Sequence, residues 1–106
     1  MESSERYDVE ILPRAEKDLR ELKQHAGQAV RELLKLENDP LLGHALKGSL
    51  RGARALEFNL KGGGAYRAVY TVVDEDRVCI VFLVGPHENV YKKAKRRYAA
   101  LKRTER

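Results

Sequence analysis

The stretch that most constrains this chain is RVCIVFLV, residues 77–84, an arginine followed by seven apolar residues. A run this continuously apolar and this short reads as a central strand buried on both faces. Before it, RALEFNL (54–60) puts Leu56, Phe58 and Leu60 on one face and Ala55, Glu57 and Asn59 on the other, and AYRAVYTVV (65–73) returns after KGGG, a turn in which glycine adopts positive φ at no cost. DED turns the chain again into the apolar run. Three consecutive antiparallel strands therefore make a meander.

The start of the chain, YDVEIL, alternates Tyr7, Val9 and Ile11 with Asp8 and Glu10, the period of a half-buried strand that Pro13 ends. From Arg14 the period becomes helical, with Ala15, Leu19, Leu22 and Ala26 on one stripe. Gly27 is expected to interrupt this helix, and Ala29, Val30, Leu33, Leu34 and Leu36 resume a helical pattern until Asn38-Asp39-Pro40 stops it. Residues 41–53 read as a loop with a short extended piece around 46–50. After Gly85 and Pro86, Val90 or Tyr91, Ala94, Tyr98 and Leu101 mark a closing helix. The order β-α-α-β-β-β-α predicts an α+β fold: an antiparallel or mixed sheet with helices packed on one side. At 106 residues one core and one domain, 1–106, are expected, with residues 1–6 and 103–106 as flexible ends.

A net charge of +5 suits polyanions. The excess concentrates after Tyr91, where Lys92, Lys93, Lys95, Arg96, Arg97, Lys102, Arg103 and Arg106 face one acid, Glu105. Cys79, the single cysteine, sits in the apolar run and reads as a buried, inert thiol of a reducing compartment. No signal peptide and no apolar stretch of membrane-spanning length is visible, so a cytoplasmic protein without a membrane partner is expected.

Phosphate-loop, CxxC, HExxH and dinucleotide-binding motifs are absent, and His25, His44 and His87 are too far apart for a local metal motif, so no metal, cofactor or small-molecule partner is expected. Arg67 is a lone cation in an otherwise apolar strand; it suits the rim of a solvated face or, through its bidentate fork, a phosphate. His87 and Glu88 follow the last strand, and Tyr91 lies one helical turn beyond His87, near a helix N-terminus suited to an anion. Helix-dipole placement accounts equally for Glu88, and core packing for Tyr91. Together these residues could support phosphodiester transesterification: a base takes the ribose 2′-OH proton, a cation steadies the phosphorane, and an acid protonates the departing 5′ oxygen. Lys47, Arg51 and Arg54 could hold further charge.

The pieces YDVEIL, AEKDLREL, the connection ALKGSLRGARALEF, YRAVYTV, VCIVFLVG and HENVYKKAKRR, in this order and over roughly residues 7–98, resemble the RelE/ParE superfamily of bacterial toxin–antitoxin toxins. The resemblance implies one of two activities: RelE-like members cleave mRNA in the ribosomal A site without a metal, whereas ParE-like members inhibit DNA gyrase and are not nucleases. Carried over by position, it gives Arg67 as the strand arginine, Lys47, Arg51 and Arg54 as basic residues before the hairpin, and Tyr91 as the tyrosine entering the last helix. His87 falls where ribonuclease members keep a proton-transferring or phosphate-binding residue. Arg67, His87, Tyr91 and Glu88 are thus the catalytic candidates, and Lys47, Arg51, Arg54, Lys92 and Lys93 the RNA-binding ones. The grouping of His and Tyr near the strand arginine favours the endoribonuclease, with ribosome, mRNA and a cognate antitoxin as partners. A plain RNA-binding domain is the third reading.

Overall fold

The computed structural model describes residues 6–88 and 90–104. Five strands form one mixed sheet in the order β1-β5-β4-β3-β2: β1 (Asp8–Ile11), β2 (His44–Ala45), β3 (Ala53–Leu60), β4 (Gly64–Val73) and β5 (Val78–Pro86). The meander β3-β4-β5 is antiparallel as the sequence predicts, and β1 joins β5 in parallel, Asp8 facing Val78 and Ile11 facing Val81. The apolar run therefore occupies an interior strand with neighbours on both sides.

Among the described residues three α-helices cover the sheet. α1 (Pro13–Arg20) starts with Pro13, whose fixed φ suits a first helical turn and whose missing N–H would have had no partner there. It buries Ala15 and Leu19, and α2 (Ala26–Leu34) buries Ala29 and Leu33. Both pack with Leu36 onto one face, against Leu56, Phe58, Leu60, Ala68, Tyr70, Cys79 and Val81. α3 (Val90–Thr104) takes the other face, setting Val90, Ala94 and Tyr98 against Leu50, Ala53, Val69, Phe82 and Leu83. The expectation of helices on one side is thus corrected: two helices lie on one face and the third on the other. The single expected core becomes two apolar layers divided by the sheet. The cause is β5 itself, whose apolar side chains point both ways and need cover on both faces.

A bulge sharpens this. Val69 faces Leu83 but Tyr70 faces Val81, so Phe82 is an extra residue in β5. Phe82 and Leu83 consequently both join the α3 layer, and Phe82 stacks on Tyr98 with ring centroids 5.5 Å apart.

β1 stops at Ile11, so the edge of β5 beyond Val81 lacks a strand neighbour. Side chains take its place. Asp18 of α1 accepts the Val84 N–H at 3.0 Å; Arg97 of α3 donates to the Phe82 carbonyl at 3.0 Å and to both Asp18 oxygens, at 2.7 and 3.2 Å. The pair is only 10% and 13% exposed, and each member satisfies backbone that would otherwise be orphaned.

Two local expectations change. The first helix ends near Glu21, and the break falls at Lys23, which adopts φ +53, while Gly27 lies inside α2. The extended piece of the 41–53 loop is His44–Ala45, pairing with Arg54 and Ala55, and a short 3-10 turn occupies Gly48–Leu50. Of the ends expected to be flexible, residues 1–5 and 105–106 lie outside the described residues; Arg6 pairs with Glu37 at 3.0 Å, and Arg103 and Thr104 belong to α3. Among the described residues no helix is long and apolar enough to cross a membrane.

Two predictions follow from this packing. Asp18→Ala leaves Arg97 with an unpaired charge at a largely buried edge and is expected to lower unfolding free energy by about 3 kcal/mol in urea titration, Asp18→Asn by less. Burial pushes the Cys79 thiol up to about 11. At pH 8 only about one part in a thousand is thiolate, so the native protein should resist maleimide, and labelling should rise with pH or on unfolding.

Candidate functional site

The register of the β3-β4 hairpin places Glu57 directly opposite Arg67. Alternation puts both on the face that carries Val69, the α3 face. Arg67 donates from Nε to Glu57 Oε2 at 3.0 Å, and its Nη2 lies 2.8 Å from the same oxygen as an ion pair. The Tyr91 ring of α3 lies against its guanidinium, 4.8 Å from Cζ to the ring centroid, a cation–π distance. Arg67 is 14% exposed and Glu57 49%. Since ion pairs that reach solvent contribute roughly 0–1 kcal/mol, an incoming phosphate, carrying charge and a matching pair of oxygens, can displace the carboxylate from this fork.

Arg67 and Tyr91, both read from the sequence, are therefore brought into contact. Tyr91 owes its position to α3, where it precedes the buried Ala94 by one turn and the buried Tyr98 by two. Lys95, also exposed, follows Tyr91 by four residues and shares its flank of the helix. Lys47 and Arg51 bracket the Gly48–Leu50 turn, which Leu50 anchors in the α3 layer; the Tyr98 hydroxyl donates to the Arg51 carbonyl at 3.0 Å. The next residue must be glycine, because Gly52 has φ +100 and a Cβ there would come within 2.5 Å of the Tyr98 hydroxyl. Both cations are exposed.

Four other candidates make no hydrogen bond, ion pair or ring contact with Arg67. His87 lies outside the helix, so helical spacing does not bring it onto the Tyr91 face; its backbone N–H donates to the Ala65 carbonyl at 2.9 Å, and its side chain is exposed at the end of β5. Glu88 and Lys93 line a cleft of about 230 Å³ with Leu83, Gly85, Pro86 and Val90. On α3, Lys93 lies one turn before Arg97 and so on the flank that meets the β5 edge, away from Tyr91. Lys92 is exposed on the outer side of α3.

Arg54 departs furthest from expectation. It faces Tyr70 in the register and so points to the face opposite Arg67. Its Nε and Nη2 donate to the Gly43 carbonyl at 3.0 and 2.6 Å, and Nη2 to Leu41 at 3.3 Å. Tyr70, fully buried, completes the clamp by donating to the Pro40 carbonyl at 2.8 Å and accepting the Gly43 N–H at 3.0 Å. Burial raises the Tyr70 pKa. Arg54 thus secures the 40–43 loop and does not belong to the Arg67 surface.

The residue that sequence reasoning missed is Glu57. It was visible as a polar residue on the wet face of its strand, but only the register makes it the partner of Arg67.

Residues 9–95 match the family described as the ParE-like toxin of type II bacterial toxin–antitoxin systems. No curated protein is similar enough in sequence to count as a match. Among solved structures, a double-mutant E. coli toxin RelE in the free state is 26% identical with a TM-score of 0.69, covering 93% of this chain and 98% of its own. The RelBE2 toxin–antitoxin complex from Mycobacterium tuberculosis is similar at 27% identity and a TM-score of 0.66, over 77% of this chain and 99% of that one. The isolated E. coli RelE toxin gives 28% and 0.61, over 87% and 98%. With the family match running over nearly the whole described chain, this protein belongs to the ParE-like toxins of type II bacterial toxin–antitoxin systems.

Proposed function

We propose that this toxin is a ribosome-dependent endoribonuclease that cleaves mRNA without a metal and so arrests translation in the cytoplasm. The observation that carries the reading is the Arg67 guanidinium, held between the Tyr91 ring and the half-exposed Glu57 carboxylate. In this reading Arg67 steadies the phosphorane, Tyr91 and His87 handle protons, and Lys47, Arg51 and Lys92 hold the RNA backbone. Glu88 and Lys93, at the far flank of α3, assist from outside the reacting centre. Solved relatives at 26–28% identity carry the name RelE, which supports the nuclease branch.

The chain's natural partner in this reading is a cognate antitoxin, as in the M. tuberculosis complex and in the E. coli RelBE complex. A net charge of +5 suits an acidic or amphipathic antitoxin segment.

Inhibition of DNA gyrase is the second reading, favoured by the family description itself. The two separate cleanly. Induced expression without the antitoxin should create new mRNA 5′ ends while supercoiling by gyrase continues; lost supercoiling with intact transcripts would reverse the assignment. Arg67→Ala is expected to lower cleavage of ribosome-bound mRNA by about 10²–10³-fold. The double substitution of His87 and Tyr91 by Ala and Phe should abolish cleavage while the thermal melt stays close to the parent's.

A further inference from the structure

We propose that Glu57 is the proton acceptor of this site, an inference that rests on the ribonuclease reading above. The carboxylate is the acid described in contact with Arg67, and it lies on the same face of the sheet as Tyr91. Arg67 Nε donates to Oε2 and Nη2 lies 2.8 Å from the same oxygen, while Oε1 has no hydrogen-bond partner among the described residues. Half of the Glu57 side chain is open to solvent. A carboxylate placed only to anchor a buried guanidinium would gain most by pairing both oxygens with both arms of the fork. Here one oxygen is engaged and the other is free to accept a proton.

The fork and the carboxylate also compete for the same contacts. When a phosphodiester enters, its non-bridging oxygens take the Nε and Nη2 donors that Glu57 now occupies, and the carboxylate is released beside the phosphate. The ribose 2′-OH attached to that phosphate is then the nearest proton donor to it. The 2′ oxygen bonds to phosphorus as its proton passes to Glu57. The bond from phosphorus to the 5′ oxygen breaks, and that oxygen takes its proton from Tyr91 or His87. A 2′,3′-cyclic phosphate and a 5′-hydroxyl leave, Arg67 having held the non-bridging oxygens throughout, and solvent restores both protonation states. Base and acid roles are thereby divided between β3 and the entrance to α3.

The test is single-turnover cleavage of mRNA on programmed ribosomes by the parent chain, Glu57→Gln and Glu57→Ala, alongside binding of the same complexes. The amide of Glu57→Gln still accepts from Arg67 but takes no proton, so cleavage should fall about 10²–10⁴-fold while binding holds or tightens. Added formate should restore part of the rate to Glu57→Ala and none to the parent. Cleavage by Glu57→Gln within about threefold of the parent, or cleavage and binding falling in parallel, would overturn the role and leave Glu57 as a holder of Arg67. A parent chain that cleaves nothing ends the ribonuclease reading and this inference with it; a parent that cleaves beside an unimpaired Glu57→Gln ends this inference alone.

Discussion

The pair of Asp18 and Arg97 organises this molecule because it stands where a strand is missing. β1 covers β5 only as far as Val81, and the next backbone groups on that edge need partners that no strand supplies. One carboxylate from α1 and one guanidinium from α3 supply them, and the two helices, on opposite faces of the sheet, meet around the edge. An ion pair taken out of water usually gains little over apolar packing. This one is justified by the main-chain bonds that each member makes in addition to the pairing.

What the pair fixes is the placement of α3. With Arg97 tied to the Phe82 carbonyl and Phe82 stacked on Tyr98, the helix can neither slide along the sheet nor rotate on it. Tyr91 therefore meets Arg67, a residue of the neighbouring strand, at a set distance. The surface around Arg67 depends on an edge repair made on the other flank of the same helix.

Much of this was legible. Alternation found the strands, the helical period found three amphipathic segments, and the run 77–84 announced cover on both faces. The last clue contained the correction to one-sided packing: if β5 is buried twice, helices must lie on both sides, and the stripe of α3 says that it packs without saying where. The break at Lys23 left no trace, since a lysine at positive φ is chosen by its surroundings, whereas Gly27 is simply tolerated within a helix. Arg67 and Tyr91 were readable as chemistry-bearing residues, but Glu57 and Arg54 could be sorted only by register. The hairpin pairs Leu60 with Gly64, and from that closure Glu57 falls opposite Arg67 and Arg54 opposite Tyr70, on the other face. A fixed turn length at Lys61-Gly62-Gly63 would have yielded both assignments from the letters alone.

The parallel seam between β1 and β5 also sets a timetable. Within the sheet the first strand in the sequence has as its neighbour the fifth, so Asp8–Ile11 waits beside an incomplete sheet until Val78–Pro86 has been synthesised and has left the exit tunnel. A chain released early, or stalled before that point, lacks β5, the strand that joins both apolar layers, and α3 with its Tyr91. Such a fragment cannot assemble the surface around Arg67, which forms only after both β5 and α3 have been synthesised.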